Sequence, residues 1–320
     1  MFFCYFRLVK KTFLLFFVII NCYGQEKFSK QFSFVNDNDL YISFYQDRYY
    51  TNGAFLNYSY LSTKKSNKIQ KKIYNFQIGQ KLYSPFKANV QFLSEHDRPF
   101  AGYLFGGFGI SYFFEKNSLF RISGEIGVIG PSAFGEESMN FVHDIYGFEA
   151  ATGWKYQIQD AFALNFNLEY TKQLATSKYF DFNWMNTANV GTVFSDVSTG
   201  FLSRIGIKPL QNIANSIAFN SNLNNELTDF NNEIEALFYV NPMLRYAIYD
   251  ATIQGSFLNT NNPITYELKP IVLTTELGFK FTANRFNFKY AIIHHTKKLK
   301  SVKVPSGNIY GSISINYLFN

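Results

Sequence analysis

Apolar and polar residues alternate with a period of two over much of this chain, in segments of about ten residues separated by clusters of Asn, Ser, Gly, Lys and Asp. The clearest case is the last. Ile309, Gly311, Ile313, Ile315, Tyr317 and Phe319 fall on one face, and Tyr310, Ser312, Ser314 and Asn316 on the other. A strand that is apolar on one side and polar on the other suits a wall between lipid and water. Upstream, Ile271, Leu273, Thr275, Leu277, Phe279 and Phe281 share a face. A tight turn at 282–285 then leads into Phe286, Phe288, Tyr290 and Ile292, which predicts a hairpin. The same test predicts strands over 28–36, 49–62, 72–84, 100–115, 118–130, 161–175, 180–194, 196–207, 234–248, 268–282, 285–296 and 308–319. The expected fold is therefore all-β, an antiparallel transmembrane β-barrel of about 12 strands, an even number as such barrels require.

With both termini periplasmic, connections alternate between short inner turns and long outer loops. Lys116-Asn117 and 282–285 obey this rule, and 64–72 is also assigned to the inner side. The Asn-rich stretch 208–233 is too long for an inner turn. One long segment, 131–160, has no strand pattern and falls in an outer loop. Within it, 133–146 predicts a short helix, with Glu136 and Glu137 early, where the helix dipole favours acids.

Composition narrows the class. Arg7, Lys10 and Lys11 precede an apolar run over 13–20 and then Cys22-Tyr23-Gly24, so 1–24 reads as a secretory signal peptide and 25–320 as one barrel domain. A lipoprotein signal would use Cys22, but Asn21 fits poorly before it. Both cysteines, Cys4 and Cys22, lie in this leader, which leaves the barrel without a thiol. Aromatic residues make up 20% of the chain, yet no later apolar stretch reaches the roughly 20 residues a membrane-spanning helix needs. A helical membrane protein is excluded. The net charge of +7 suits a phosphate-bearing partner such as lipopolysaccharide, and equally any acidic surface.

Strand parity gathers several polar residues at the outer rim: Asn36-Asp37-Asn38-Asp39, Thr51-Asn52-Gly53, Asp97-Arg98, and His143 with Glu149. Taken singly, each is an ordinary solvated loop residue. His294 and His295 read as rim residues, and His96 as a surface residue or an ion-pair partner of Asp97. His143 stands apart because a helical outer loop, a carboxylate six residues on and an oxygen-rich cluster accompany it. A base, a carboxylate and oxygen ligands for a metal make a hydrolase constellation.

At these residues the sequence resembles the lipid A 3′-O-deacylase family of outer-membrane proteins. The resemblance runs in order through Phe34-Val35-Asn36-Asp37, Asp47-Arg48-Tyr49-Tyr50-Thr51-Asn52-Gly53, Tyr83-Ser84-Pro85 and Asp97-Arg98-Pro99-Phe100-Ala101-Gly102. It continues through Gly127-Val128-Ile129-Gly130-Pro131, His143 to Glu149, and Trp154 to Gln157. It implies a calcium-dependent carboxylic ester hydrolase that removes the 3′-linked acyloxyacyl chain from lipid A at the outer leaflet of the bacterial outer membrane. His143 would be the general base, Asn36, Asp37 and Glu149 would hold or support Ca²⁺, and Thr51 would donate to the oxyanion or the water. It also implies a monomer without a nucleic-acid partner. Two departures stand out: Asn38 replaces an acid of some relatives, with Asp39 beside it, and Glu95 replaces a lysine. Lys297, Lys298, Lys300 and Lys303 are then the candidate phosphate contacts. The rival readings are an outer-membrane phospholipase, for which no Ser-His-Asn set is evident, and a non-enzymatic pore or adhesin.

Overall fold

In the computed structural model the chain forms a closed barrel of twelve antiparallel strands, each paired with its sequence neighbours. The strands are β1 (Lys30–Asn38), β2 (Tyr49–Leu61), β3 (Ile69–Ser84), β4 (Ala101–Phe114), β5 (Ser118–Ile129) and β6 (Ala161–Thr176). They continue as β7 (Phe180–Gly191), β8 (Phe194–Gly206), β9 (Ala236–Asp250), β10 (Ile271–Ala283), β11 (Phe286–His295) and β12 (Asn308–Phe319). The structure describes residues 27–42, 48–64, 68–86, 89–90, 92–225, 234–301, 303 and 307–320. The expected signal peptide, 1–24, lies outside the described residues, as does Asp47.

The expected all-β class and all twelve strands are present. β1 closes the sheet against β12, from Lys30 opposite Phe319 to Asn38 opposite Gly311. The alternation read from the sequence is the alternation of the wall. Phe32, Phe34, Ile78, Phe166, Ile315 and Tyr317 point outward and are exposed, while Gln31, Ser33, Asn183, Ser312, Ser314 and Asn316 are buried within. The short hairpins at one end turn at Asn117 (φ +49°) and Asn284 (φ +54°), the left-handed region that Asn tolerates better than most residues. The start of β1 and the end of β12 share that end with these turns.

The stretch that resisted the parity scheme has a tertiary explanation. Residues 207–225 fold back into the barrel as a plug: Ile213, Ile217, Phe219 and Leu223 join Phe28, Leu61, Phe113 and Leu202 in one buried cluster. Two cations from the wall anchor it. Lys71 Nζ donates to Asn215 Oδ1 (2.8 Å), the Ser221 carbonyl (2.8 Å) and Asn224 Oδ1 (2.9 Å). Arg204, fully buried, pairs with Asp181 and lies 3.6 Å from Glu235, whose carboxylate accepts from Ser216 Oγ at 2.9 Å. Burial pushes the Glu235 carboxyl up, and the Arg204 guanidinium opposes it.

Replacing Arg204 with Met should leave Asp181 and Glu235 buried without their cation, a cost of about 3–5 kcal/mol. Urea unfolding in lipid vesicles would register it as a lowered midpoint. The plug also predicts no steady ion conductance for the parent protein in planar bilayers, and the Arg204 variant should leak.

Candidate functional site

The site is built at the end of the barrel opposite the start of β1 and the end of β12, on the outside of the wall. On β1 the side chains of Val35 and Asp37 face the lumen, so Asn36 and Asn38 face outward. A bulge in β2 adds one residue between Tyr50 and Asn52. It lets Tyr50 and Gly53 both face the lumen while Thr51 and Asn52 both line the outer pocket. Beyond Asn38 the chain makes a one-turn 3₁₀ helix, Asp39–Tyr41, capped by Asn38 Oδ1 accepting from the Leu40 amide at 2.7 Å.

Against this wall lies helix α1 (Gly135–Tyr146), following a 3₁₀ turn at Pro131–Ala133. Its Glu136 and Glu137 sit in the first turn, and it ends at Gly147 (φ +71°), where the Phe148 amide donates to the His143 carbonyl at 2.9 Å. Met139 and His143, four residues apart, share the buried face. Met139 packs with Leu82, Phe100, Ala151 and Trp154, and Trp154 Nε1 donates to Met139 Sδ at 3.1 Å. The close approach depends on Gly135, because a Cβ there would stand 2.5 Å from the Trp154 ring.

The resulting pocket, about 40 Å³, is lined by His143, Asn38, Asp39, Thr51, Asn52 and Phe148 among others. His143 Nδ1 lies 2.6 Å from the Glu149 carbonyl. A carbonyl only accepts, so Nδ1 carries the proton and Nε2 carries the lone pair of the neutral ring. Asp39 is buried, and its Oδ2 accepts from the Arg48 amide at 3.2 Å. Thr51 is buried too, and its Oγ1 makes no hydrogen bond among the described residues.

The site residues expected from sequence divide. His143 and Thr51 come together. Asp37 does not join them: it faces the lumen and accepts from Tyr50 Oη at 2.8 Å. Asn36 faces outward, donating to the Gly53 carbonyl (3.0 Å) and accepting from Tyr41 Oη (2.6 Å). Glu149 contributes its carbonyl, while its exposed carboxylate accepts from Asn89 at 3.0 Å. Asn38 and Asp39 occupy the positions expected for Asn36 and Asp37. The strand-length shift was not legible, because the alternation says which residues share a face but the bulge and cap decide where β1 stops.

Other expectations change as well. His96 is buried rather than a surface residue, with its ring edge-on to Phe100 and Tyr156, and burial pushes its imidazole down. Asp97 and Arg98 tie the loops together: Asp97 accepts from Tyr49 Oη, Ser301 Oγ and the Phe86 amide, and Arg98 donates to Thr252. None of the four lysines named as phosphate contacts lines the His143 pocket. Lys300 pairs with Glu267, Lys303 donates to the Glu95 carbonyl, Lys297 donates to the Ser301 carbonyl, and Lys298 lines the lumen.

The pocket's donors are hard oxygens: the Asp39 carboxylate, the Asn38 amide and the unpartnered Thr51 hydroxyl. Those are the ligands a calcium ion prefers. Among the described residues no three His, Cys, Asp or Glu side chains form a metal-binding group, so further ligands would have to be backbone carbonyls, water or substrate. The set fits such an ion in chemistry. The pocket opens beside an apolar ridge, with Phe134, Phe141, Ile145, Tyr146 and Phe148 all exposed.

A model of the family described as outer membrane protein LpxR matches residues 12–319. The chain belongs to the LpxR family. Among solved structures, LpxR from Salmonella typhimurium superimposes with a TM-score of 0.72 at 21% identity, over 90% of this chain and 100% of that one. The β domain of the Bordetella autotransporter BrkA follows at a TM-score of 0.47 and 8% identity, over 92% and 99% of the two chains. No curated protein sequence matches. The resemblance carried by those sequence motifs is thus borne out, as is a place among outer membrane proteins.

Substituting Ala for Gly135 should force α1 away from Trp154 and cost about 1–3 kcal/mol. Amide exchange over 135–146 should accelerate while exchange in the strands stays unchanged.

Proposed function

We propose that this LpxR-family protein is a calcium-dependent lipid A deacylase, a carboxylic ester hydrolase that removes the 3′-linked acyloxyacyl chain from a substrate in the outer leaflet. The observation that carries the reading is the pairing of a buried histidine, held through Nδ1 by the Glu149 carbonyl, with the oxygen donors Asn38, Asp39 and Thr51 across a pocket on the outer face of the wall. An ester at the end of an acyl chain reaches such a pocket without leaving the membrane. The ridge from Phe134 to Phe148 continues the apolar outer surface of the barrel and would lie among those chains.

His143 Nε2 takes a proton from water as the hydroxyl oxygen attacks the ester carbonyl. The Nδ1–H bond to Glu149 holds the ring in the tautomer this requires and favours the imidazolium that forms. Thr51 Oγ1, having no other partner, donates to the developing oxyanion. His143 then returns its proton to the leaving sugar hydroxyl, giving a free carboxylic acid and a 3′-hydroxyl. Asn38 and Asp39 would hold the Ca²⁺, which supplies polarisation of the carbonyl and neutralisation of negative charge. A barrel filled by its own plug is also poorly suited to be a pore.

With the refolded protein and lipid A followed by mass spectrometry, His143→Ala should lower turnover by about 10²–10⁴-fold. EDTA should abolish turnover, and Ca²⁺ should restore it. Asp39→Asn should remove the response to Ca²⁺, whereas Asp37→Asn and Glu149→Gln should retain most activity, since one lies in the lumen and the other acts through its backbone. The reverse order of the two aspartates would refute this assignment of the calcium ligands, and an unchanged lipid A mass with folded protein would refute the activity.

A further inference from the structure

The lumen above the plug holds a second cavity, about 630 Å³, separated from the His143 pocket by the barrel wall. Its size is in the range of small-molecule sites. Near the loop end, Arg98, Arg245, His295 and Lys298 all line it. They stand within electrostatic reach of one another, since Lys298 feels both guanidiniums and His295 feels Lys298 and Arg245.

The carboxylates that face this group are already engaged. Asp196 Oδ2 lies 2.8 Å from Arg245 Nη2, and its Oδ1 accepts from Asn189 at 2.8 Å. Asp250 accepts from the Thr252 amide (3.0 Å) and hydroxyl (2.6 Å). The Lys298 ammonium, by contrast, makes no hydrogen bond or ion pair among the described residues, and Arg245 Nε is buried without an acceptor. Burial, with Arg245 and Arg98 alongside, pushes Lys298 down to about 7, against the pull of Asp250 and Asp196. Cations crowded out of bulk water destabilise one another unless an anion joins them. Beside the cluster is an aromatic wall: Arg98 stacks on Tyr83 at 4.8 Å, Tyr83 packs on Tyr50 at 5.3 Å, and Tyr50 on Tyr310 at 4.7 Å.

We propose that the lumen of this barrel is a binding site for a phosphate monoester of a small sugar, the phosphate held by Lys298 and Arg245 and the sugar ring against the tyrosines. A phosphate offers the acceptor oxygens that the ammonium and the guanidinium Nε lack. A sugar ring uses the remaining volume and stacks its C–H face on the aromatic wall. The site is independent of ester hydrolysis on the outer wall.

The test is calorimetric titration of the folded protein in detergent with glucose 6-phosphate, inorganic phosphate and glucose. Glucose 6-phosphate should bind, and glucose should not. Lys298→Met should weaken binding by about tenfold or more, while Lys298→Arg, which keeps a cation, should stay within about threefold of the parent. Lys298 is in a loop, and heat-modifiable electrophoretic mobility would verify that each variant is folded. Inorganic phosphate binding as tightly as the sugar phosphate would support the anion site and assign it to the free ion. Absence of heat with both phosphates, or equal affinity in Lys298→Met, would overturn the proposal. Deacylation by Lys298→Met should match the parent in any case, so loss of the luminal site and loss of the hydrolase reading are separable.

Discussion

A sheet that stands in hydrocarbon must have no free edge, because each backbone N–H or C=O left unpaired there costs several kcal/mol. In this protein the pairing of β1 with β12 leaves the sheet no free edge, and the remaining features depend on it. The closure brings the first described strand against the last, 291 residues away at Ser29 and Asn320, where the Asn320 side chain accepts from both the amide and the hydroxyl of Ser29. It also brings the loop end of β1, with Asn38, Asp39 and the turn to Tyr41, over β12, where Tyr41 packs on Gly311.

Closure divides the molecule into two chemical compartments one strand thick. Alternate residues of the same strand serve each: Asp37 and Tyr50 bond to one another inside, while Asn38 and Thr51 line the pocket outside. The bulge at Thr51 is the device that keeps this division while turning two successive side chains outward. Outside, α1 completes the pocket by resting on Leu82, Phe100 and Trp154, so the histidine is held by a small core of its own on the outer face of the wall. Inside, polar side chains, the plug and the basic cluster at the loop end share the lumen. Burying Ile213, Ile217, Phe219 and Leu223 there gives those apolar residues a core that an open, water-filled barrel would not provide.

How far the sequence reaches can be seen residue by residue. The period of two in 309–319 and 271–292 determined strand existence, facing and number, because a strand with one apolar and one polar face has only one stable orientation in a closed wall. Asn117 and Asn284 marked two turns, the composition of 133–146 the short helix, and His143 the residue about which the site is built. Those features are local, and local physics writes them into adjacent residues. What only the tertiary structure decided depends on contacts distant in sequence. Whether Asp37 or Asp39 meets His143 turns on where β1 ends and which face each residue takes. Glu149 acts through its carbonyl because the chain after α1 folds back on His143. The 207–225 segment is a plug because the lumen exists to receive it, and Lys298 faces that lumen because the last loop turns inward. None of these is encoded in a spacing, since each is set by the closed sheet against which the segment packs.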